Sequence, residues 1–226
     1  MIDNNLEIWE NIFQNNEWGK YPPVVVIKFI AKNFYKVKNR KDIKILEIGS
    51  GTGANLWFCA REGFSVYGID GSKTAVDRML KRFEDENLVD NLFGTSVGDY
   101  YDKLDDIEDE SLDAIIDIES LYCNSFDKSR EIVQKAFNKL KVGGVMFSLT
   151  FADGTYGLDG ENIDYHAVLP IDGPMADKGF TRYTTKDDIV KLYKLDNNEI
   201  SNIERQELHL NNGEVLKEWI IELQKV

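Results

Sequence analysis

Only two cysteines and two histidines occur in the 226 residues. Cys59 and Cys123 stand apart at no metal-ligand spacing, and His166 and His209 are distant in the chain. A zinc site has too few ligands to draw on, so no metal is expected. Cys59 falls on an apolar helix face, where a thiol packs as a small hydrophobe. No apolar run reaches the length of a membrane span, and no charged, apolar, small-residue signal pattern opens the chain. A soluble cytoplasmic protein without a membrane partner is the default expectation. Basic residues are in deficit: 27 Lys and Arg stand against 40 Asp and Glu, for a net charge of −13. That charge repels phosphate backbones at long range and disfavours DNA or RNA as a partner. Internal repeats, low-complexity tracts and linkers are missing too. The length suits one domain, so residues 1–226 are read as a single unit.

What is present centres on Ile43-Lys44-Ile45-Leu46-Glu47-Ile48-Gly49-Ser50-Gly51-Thr52-Gly53. Four aliphatic residues read as a short buried strand. Three glycines follow at alternate positions, and Leu56, Cys59, Ala60 and Gly63 then take the spacing of a helix with one buried face. A glycine turn lets backbone approach a ligand closely, and the helix beyond it offers unpaired N–H groups. Two ligand classes use this design, dinucleotides and S-adenosylmethionine. Gly49, Gly51 and Ala54 satisfy the dinucleotide fingerprint, with Asp70 near the place of its ribose-binding acid. Glu47 precedes the first glycine by two, however, and the wider pattern Glu47-x-Gly49-x-Gly51-x-Gly53 resembles motif I of the class I S-adenosylmethionine-dependent methyltransferases.

Along the chain, residues 4–16 read as a helix with Leu6, Trp9, Ile12 and Phe13 on one face. Pro22-Pro23 opens a second helix through Ile27, Ile30 and Phe34. Strands are predicted at 64–69, 91–97 (interrupted by Gly94), 112–118 and 145–151. Helices are expected around Val76–Phe83 and around Val133–Leu140, the latter closed by Lys141-Val142-Gly143-Gly144. Residues 102–113 form an acidic loop. Residues 152–183 show no period and hold glycines, prolines and aromatics, as functional loops do. Thr185-x-x-Asp188 reads as a capping box before a helix of Ile189, Leu192 and Tyr193. Residues 200–210 and 214–223 read as a hairpin across Asn211-Asn212-Gly213. Strands alternating with helices imply a mostly parallel sheet covered on both faces.

The resemblance covers 43–151 closely and the rest in outline. It implies a Rossmann-like three-layer αβα sandwich, with a mostly parallel seven-stranded sheet ending in an antiparallel hairpin. Residues 1–36 would be a helical arm, 43–151 the cofactor core, 152–183 a substrate loop and 184–226 the closing helix and hairpin. The cofactor would be S-adenosylmethionine, leaving S-adenosylhomocysteine as product. Glu47, Gly49, Ser50, Gly51, Gly53 and Asn55 would form its cradle. Asp70, with Gly71 and Ser72, would accept the ribose hydroxyls, as a two-oxygen acceptor can. Gly98, Asp99 and Tyr100 would face the adenine, and Asp117 the junction of donor and acceptor. Asp70 and Asp99 also suit helix caps. Trp18 and Tyr21 would lie against the sulfonium or the acceptor, since aromatic faces attract cations, or in core or hinge packing of the arm.

The acceptor would be the oxygen, nitrogen, sulfur or carbon nucleophile of a small molecule. The Asn/Asp-Pro-Pro-Tyr motif of nucleic-acid amino methyltransferases and the Pro-Cys of cytosine-C5 enzymes are both absent. Where a base is needed, Glu119, Tyr122, Asp164 and His166 are the candidates; His166 titrates near neutrality but also suits a packed loop position. A nicotinamide-dependent oxidoreductase and a non-catalytic S-adenosylmethionine-binding protein remain as alternatives. The chain is expected to be a monomer or a homodimer.

Overall fold

The computed structural model describes residues 5–226. Its parallel strands are β1 (Lys44–Ile48), β2 (Ser65–Asp70), β3 (Leu92–Val97), β4 (Leu112–Ile118) and β5 (Leu140–Phe151). A two-residue pair, β6 (Ala167–Val168) with β7 (Thr181–Arg182), stands apart within the long loop. β8 (Asn198–His209) and β9 (Val215–Lys225) are the antiparallel hairpin, and the sheet order is β3-β2-β1-β4-β5-β9-β8. β1, where the chain starts the sheet, is therefore central, and strand order reverses beside it. In such sheets ligands bind outside the carboxyl ends of the strands at that switch.

Side chains alternate across the sheet with period two, and both faces are covered. Ile45, Val66, Ala114, Ile116 and Phe147 meet α2 (Val24–Phe34), α3 (Ala54–Arg61) and α4 (Lys73–Asp85), through Phe29, Ile30, Leu56, Cys59, Val76, Met79 and Phe83. Leu46, Ile48, Ile115 and Met146 face the other way. They pack on α6 (Phe126–Lys139) and α7 (Lys186–Tyr193) through Ile132, Val133, Phe137, Ile189 and Leu192. A short α5 (Tyr100–Lys103) follows β3. α7 opens with the expected reciprocal cap: Thr185 Oγ1 accepts from the Asp188 N–H and Asp188 accepts from the Thr185 N–H. No described helix is long and apolar enough to cross a membrane.

Two details differ from the sequence reading. Gly143-Gly144 does not end a helix; it lies inside β5, which already starts at Leu140 opposite Leu112. One residue of β4, Asp113, lies opposite four of β5, residues 141–144, there, and Gly143 at φ +81° lies within the resulting bulge. Gly94 does not break β3. The Tyr67 ring lies 2.3 Å from where a Cβ at 94 would stand, so glycine makes room for a neighbouring side chain.

The first helix, α1 (Asn5–Asn15), lies over the carboxyl end of the sheet; residue 4, included in the sequence-based helix, lies outside the described residues. Glu10 of α1 accepts from Ser72 Oγ (2.5 Å), Thr74 Oγ1 (2.5 Å) and the Thr74 N–H (3.1 Å), at the start of α4. Burial raises the Glu10 carboxyl, but these bonds and one from Gln14 outweigh it and hold the group at about 2. Glu10→Gln should loosen α1, read as faster amide exchange over 5–15 and altered Trp9 and Trp18 fluorescence. Wild type should loosen in the same way as pH falls from about 4.5 toward 2. A carboxylate with a depressed folded pKa stabilises above its unfolded value and loses that contribution on protonation. Unchanged exchange in the variant would dismiss the latch.

Candidate active site

The turn after β1 is tied to the end of β2, because the Gly49 and Ser50 N–H groups both donate to Ile69 O, at 2.8 and 3.0 Å. Gly49 (φ +71°) is also pressed by the next loop: a Cβ there would stand 1.8 Å from Ser120 Oγ. Gly53 (φ +80°) caps α3 in the left-handed region, with Met79 2.3 Å from its would-be Cβ. Asp70 closes the arrangement. Its Oδ2 accepts from the Gly51 N–H (2.7 Å) and its Oδ1 from the Ser72 N–H (2.8 Å). Burial, opposed by those two bonds, lifts its carboxyl to about 6. Glu47 lies below, hydrogen-bonded by Asn55 Nδ2 (2.5 Å), and burial together with the nearby Asp70 and Asp117 charges pushes it to about 8.

Above these groups is a cavity of about 800 Å³, within the usual span of small-ligand pockets, roughly 300–1,000 Å³. Its roof is α1 and the segment after it. Trp9, Phe13 and Trp18 form an aromatic cluster with ring centroids 5.2–5.9 Å apart. Tyr21 stands at the rim, edge-on to Trp57. Asn5 pins the far end of α1 to the long loop and the β4 loop: its Nδ2 donates to Cys123 O and Phe180 O, and its Oδ1 accepts from the Phe180 N–H. Beyond the turn the wall becomes apolar, with Tyr122, Phe151, Met175 and Leu216, interrupted by Glu119 and Lys178.

Of the residues singled out in the sequence, Trp18, Tyr21, Glu47, Gly49, Ser50, Gly51, Asn55, Asp70, Gly71, Asp99, Tyr100, Glu119 and Tyr122 come together on this cavity. Asp99 caps α5 through the Tyr101 N–H (2.8 Å) and still reaches the wall. Others are not on it. Gly53 packs on Met79, Ser72 caps α4 and bonds to Glu10, and Gly98 lies against Lys103. Asp117 is turned into the protein: it accepts from the Ser120 and Leu121 N–H groups and from Ser148 Oγ, and so supports the β4 loop from beneath. His166 faces away as well. Its Nδ1 pairs with Asp188 Oδ2 at 2.7 Å and its ring is stacked between Tyr165 and Tyr183, which removes it as a base at this cavity. Asp164 bonds to the neighbouring Tyr165 N–H instead of reaching the cavity. Sequence reasoning missed Ser120, Lys128 and Lys178 on the wall; Lys128 and Lys178 show no periodic signal, and Ser120 only its place after β4.

Several solved structures share this fold. An S-adenosylmethionine-dependent methyltransferase of Methanosarcina mazei is 20% identical, with 88% of this chain and 97% of that one covered and a TM-score of 0.70. One from Anabaena variabilis is 18% identical, with 100% and 95% covered and a TM-score of 0.70. A Haemonchus contortus phosphoethanolamine N-methyltransferase, in complex with phosphomonomethylethanolamine and S-adenosylhomocysteine, is 14% identical, with 99% and 57% covered and a TM-score of 0.63. At these identities the likeness is one of fold. No curated protein matches the sequence. Residues 45–144, however, match the family model of a methyltransferase domain. Residues 45–144 thus resemble a methyltransferase domain, and the fold around them is the one shared by those S-adenosylmethionine-dependent enzymes.

The cavity has open capacity for a ligand such as S-adenosylmethionine. Among the described residues, Ser50 Oγ, Glu47 Oε2, Asn55 Oδ1 and Trp9 Nε1 are buried without a hydrogen-bond partner. Buried polar atoms are normally paired, so these four mark where a ligand completes the site. Each Asp70 oxygen accepts one backbone N–H, and an ionised carboxylate has about four lone-pair directions, which leaves room for two hydroxyls. Hydrogen bonds to a charged acceptor are worth ~1.5–3 kcal/mol each. Asp70→Ala should therefore weaken S-adenosylhomocysteine binding at least about tenfold by calorimetry, 1.4 kcal/mol being a factor of ten. In wild type the affinity should rise as pH climbs through about 6, where the carboxyl ionises, and that step should vanish in the variant. An unchanged constant in a folded variant would dismiss the assignment.

Proposed function

We propose that the protein works as one methyltransferase unit over residues 1–226 and methylates an oxygen, nitrogen, sulfur or carbon nucleophile of a small-molecule metabolite. The observation that carries this is the continuity of the cavity. One end holds the glycine turn, Asp70 and Asp99; the other is an apolar pocket with Glu119 and Tyr122 on its wall. The lining acids Glu47, Asp70, Asp99 and Glu119 outnumber the lining lysines Lys128 and Lys178. Burial keeps Glu47 and Glu119 largely protonated near neutrality, so the wall is close to neutral and offers no basic track for a phosphate polymer. The phosphoethanolamine N-methyltransferase that shares the fold also acts on a small acceptor by its name. Two free thiols suit a reducing, cytoplasmic setting.

When bound, S-adenosylmethionine supplies an electrophilic methyl group with a good leaving group. This chain's residues would do the rest. Asp70 accepts the ribose hydroxyls, Asp99 and Tyr100 flank the adenine, and Ser50 with the Glu47–Asn55 pair completes the floor. Trp9, Phe13 and Trp18 keep water from the donor, and the fixed walls supply the proximity and alignment that in-line transfer needs. Glu119 and Tyr122 face the acceptor. S-adenosylhomocysteine should raise the melting temperature and NAD should not, and labelled methyl should appear on members of a metabolite panel. A shift from NAD alone would return the chain to the oxidoreductases. Binding without any turnover across amine, hydroxyl and thiol panels would favour a non-catalytic binding protein.

A further inference from the structure

Of the four unpartnered polar atoms at the cavity, those of Glu47, Ser50 and Asn55 belong to the glycine-turn end. The fourth, Trp9 Nε1, does not. The Trp9 ring packs against the buried cluster of Tyr122, Phe151, Leu158, Val168 and Met175, which forms the apolar end. An indole nitrogen can only donate. Lys178 is on the same wall, its Nζ 5.7 Å from the centroid of the Trp18 ring, which in turn lies edge-on to Trp9 at 5.6 Å. One ammonium N–H goes to Pro174 O (2.6 Å), and among the described residues Lys178 has no carboxylate partner. The other lysine on the wall, Lys128, pairs with Asp99 at 3.8 Å.

The long loop holds Lys178 in place. Its backbone is left-handed at Asp177 (φ +58°) and Gly179 (φ +83°), and the Asp177 and Lys178 N–H groups donate to Pro170 O and Met175 O, both at 3.1 Å. Asn5 of α1 then clasps Phe180 at its N–H and its carbonyl, so the turn that carries the lysine is fastened to the roof that carries Trp9.

We propose, building on the methyltransferase reading above, that Lys178 and Trp9 form an anion site for the methyl acceptor, and that this acceptor is a small carboxylic acid with an apolar body. Lys178 Nζ and Trp9 Nε1 donate to the carboxylate, and the body lies against Tyr122, Phe151, Met175 and Leu216.

Both open polar groups here are donors, so their complement is a group that only accepts, and a charged acceptor makes the stronger bonds. The electrostatics agree. Burial, with the Glu218 charge adding, lifts the neighbouring Glu119 to about 8, so at neutral pH the ammonium stands beside a mainly uncharged carboxyl. The charge of the cavity is thus divided, Asp70 at the cofactor end and an unpaired ammonium at the acceptor end. One monoanion balances that ammonium. A phosphate dianion would leave a charge unmatched against apolar walls.

The experiment titrates protein saturated with S-adenosylhomocysteine, by calorimetry, with phenylacetate and octanoate, each beside its primary amide, and with phenyl phosphate. Wild type, Lys178→Met and Trp9→Phe are compared. Wild type should bind at least one acid about tenfold more tightly than its amide. Lys178→Met should lose that preference, and Trp9→Phe a smaller part of it, since a neutral donor's bond is weaker than a charged one's. In nitrogen-labelled protein the Trp9 indole N–H signal should move downfield with the acid and stay in place with the amide. Acids that bind no better than amides, a preference kept in Lys178→Met, or tighter binding of phenyl phosphate would each overturn the proposal. So would a loss of S-adenosylhomocysteine affinity in Lys178→Met with the acid preference intact, which would give the lysine to the cofactor's own carboxylate. If Lys178→Met fails to melt cooperatively, Trp9→Phe and the indole signal decide. If wild type does not bind S-adenosylhomocysteine, the methyltransferase reading is what fails, and the same acids titrated into the free protein still decide the anion site.

Discussion

The Asp70 carboxylate is the hinge of the structure. One oxygen holds the glycine turn after β1 through the Gly51 N–H, and the other holds the turn after β2 through the Ser72 N–H. Ser72 in turn caps α4 and bonds to Glu10, so α1 is tied to the same point. Removing the carboxylate would free two loop amides and slacken the helix that roofs the cavity. Structure and ligand binding thus meet in one side chain, which has spare acceptor directions only because its backbone partners use one per oxygen.

Burial of acids works against stability here. Glu47, Asp70 and Asp117 all lie under the carboxyl ends of the central strands, and burial raises each of them. A low-dielectric site disfavours the charged form, and neighbouring charges of the same sign add to that. A stability-only solution would place apolar residues at these positions. Their concentration at the strand switch, with four unpartnered polar atoms nearby, is the pattern of a functional site and not of a packing core.

Strand positions were legible as short aliphatic runs, because a parallel sheet covered on both faces buries successive side chains. Ile45 and Leu46, or Ile115 and Ile116, fall on opposite faces as the spacing implies. The glycine turn was legible because a left-handed backbone with neighbours pressed against it, as at 49 and 53, favours glycine. Direction was not legible. Asp117 sits at a strand tip like Asp70, yet its position says nothing of which way the carboxyl turns, and its loop amides claim it. His166 attracted attention by rarity, a property unrelated to orientation, and Asp188 holds it elsewhere. The face of α1 was visible in Trp9 and Phe13, but periodicity shows that a face is covered, not that a cavity covers it. Met175 and Lys178 come from an aperiodic loop; their meeting with Glu119 on one cavity wall exists only in three dimensions.

The contact between Gly49 and Ser120 has a consequence for catalysis. A side chain at 49 would overlap the serine hydroxyl, and Tyr100 shares the same hydroxyl through a hydrogen bond. The glycine turn, proposed to cradle the donor, and the loop that carries Glu119 and Tyr122 are therefore wedged together, both rooted in adjacent strands of one sheet. The distance between donor and acceptor walls is set by strand spacing, which thermal motion of the roof does not change. On the proposed function, an opening of α1 would exchange ligands without altering the line of attack, and each turnover would begin already aimed.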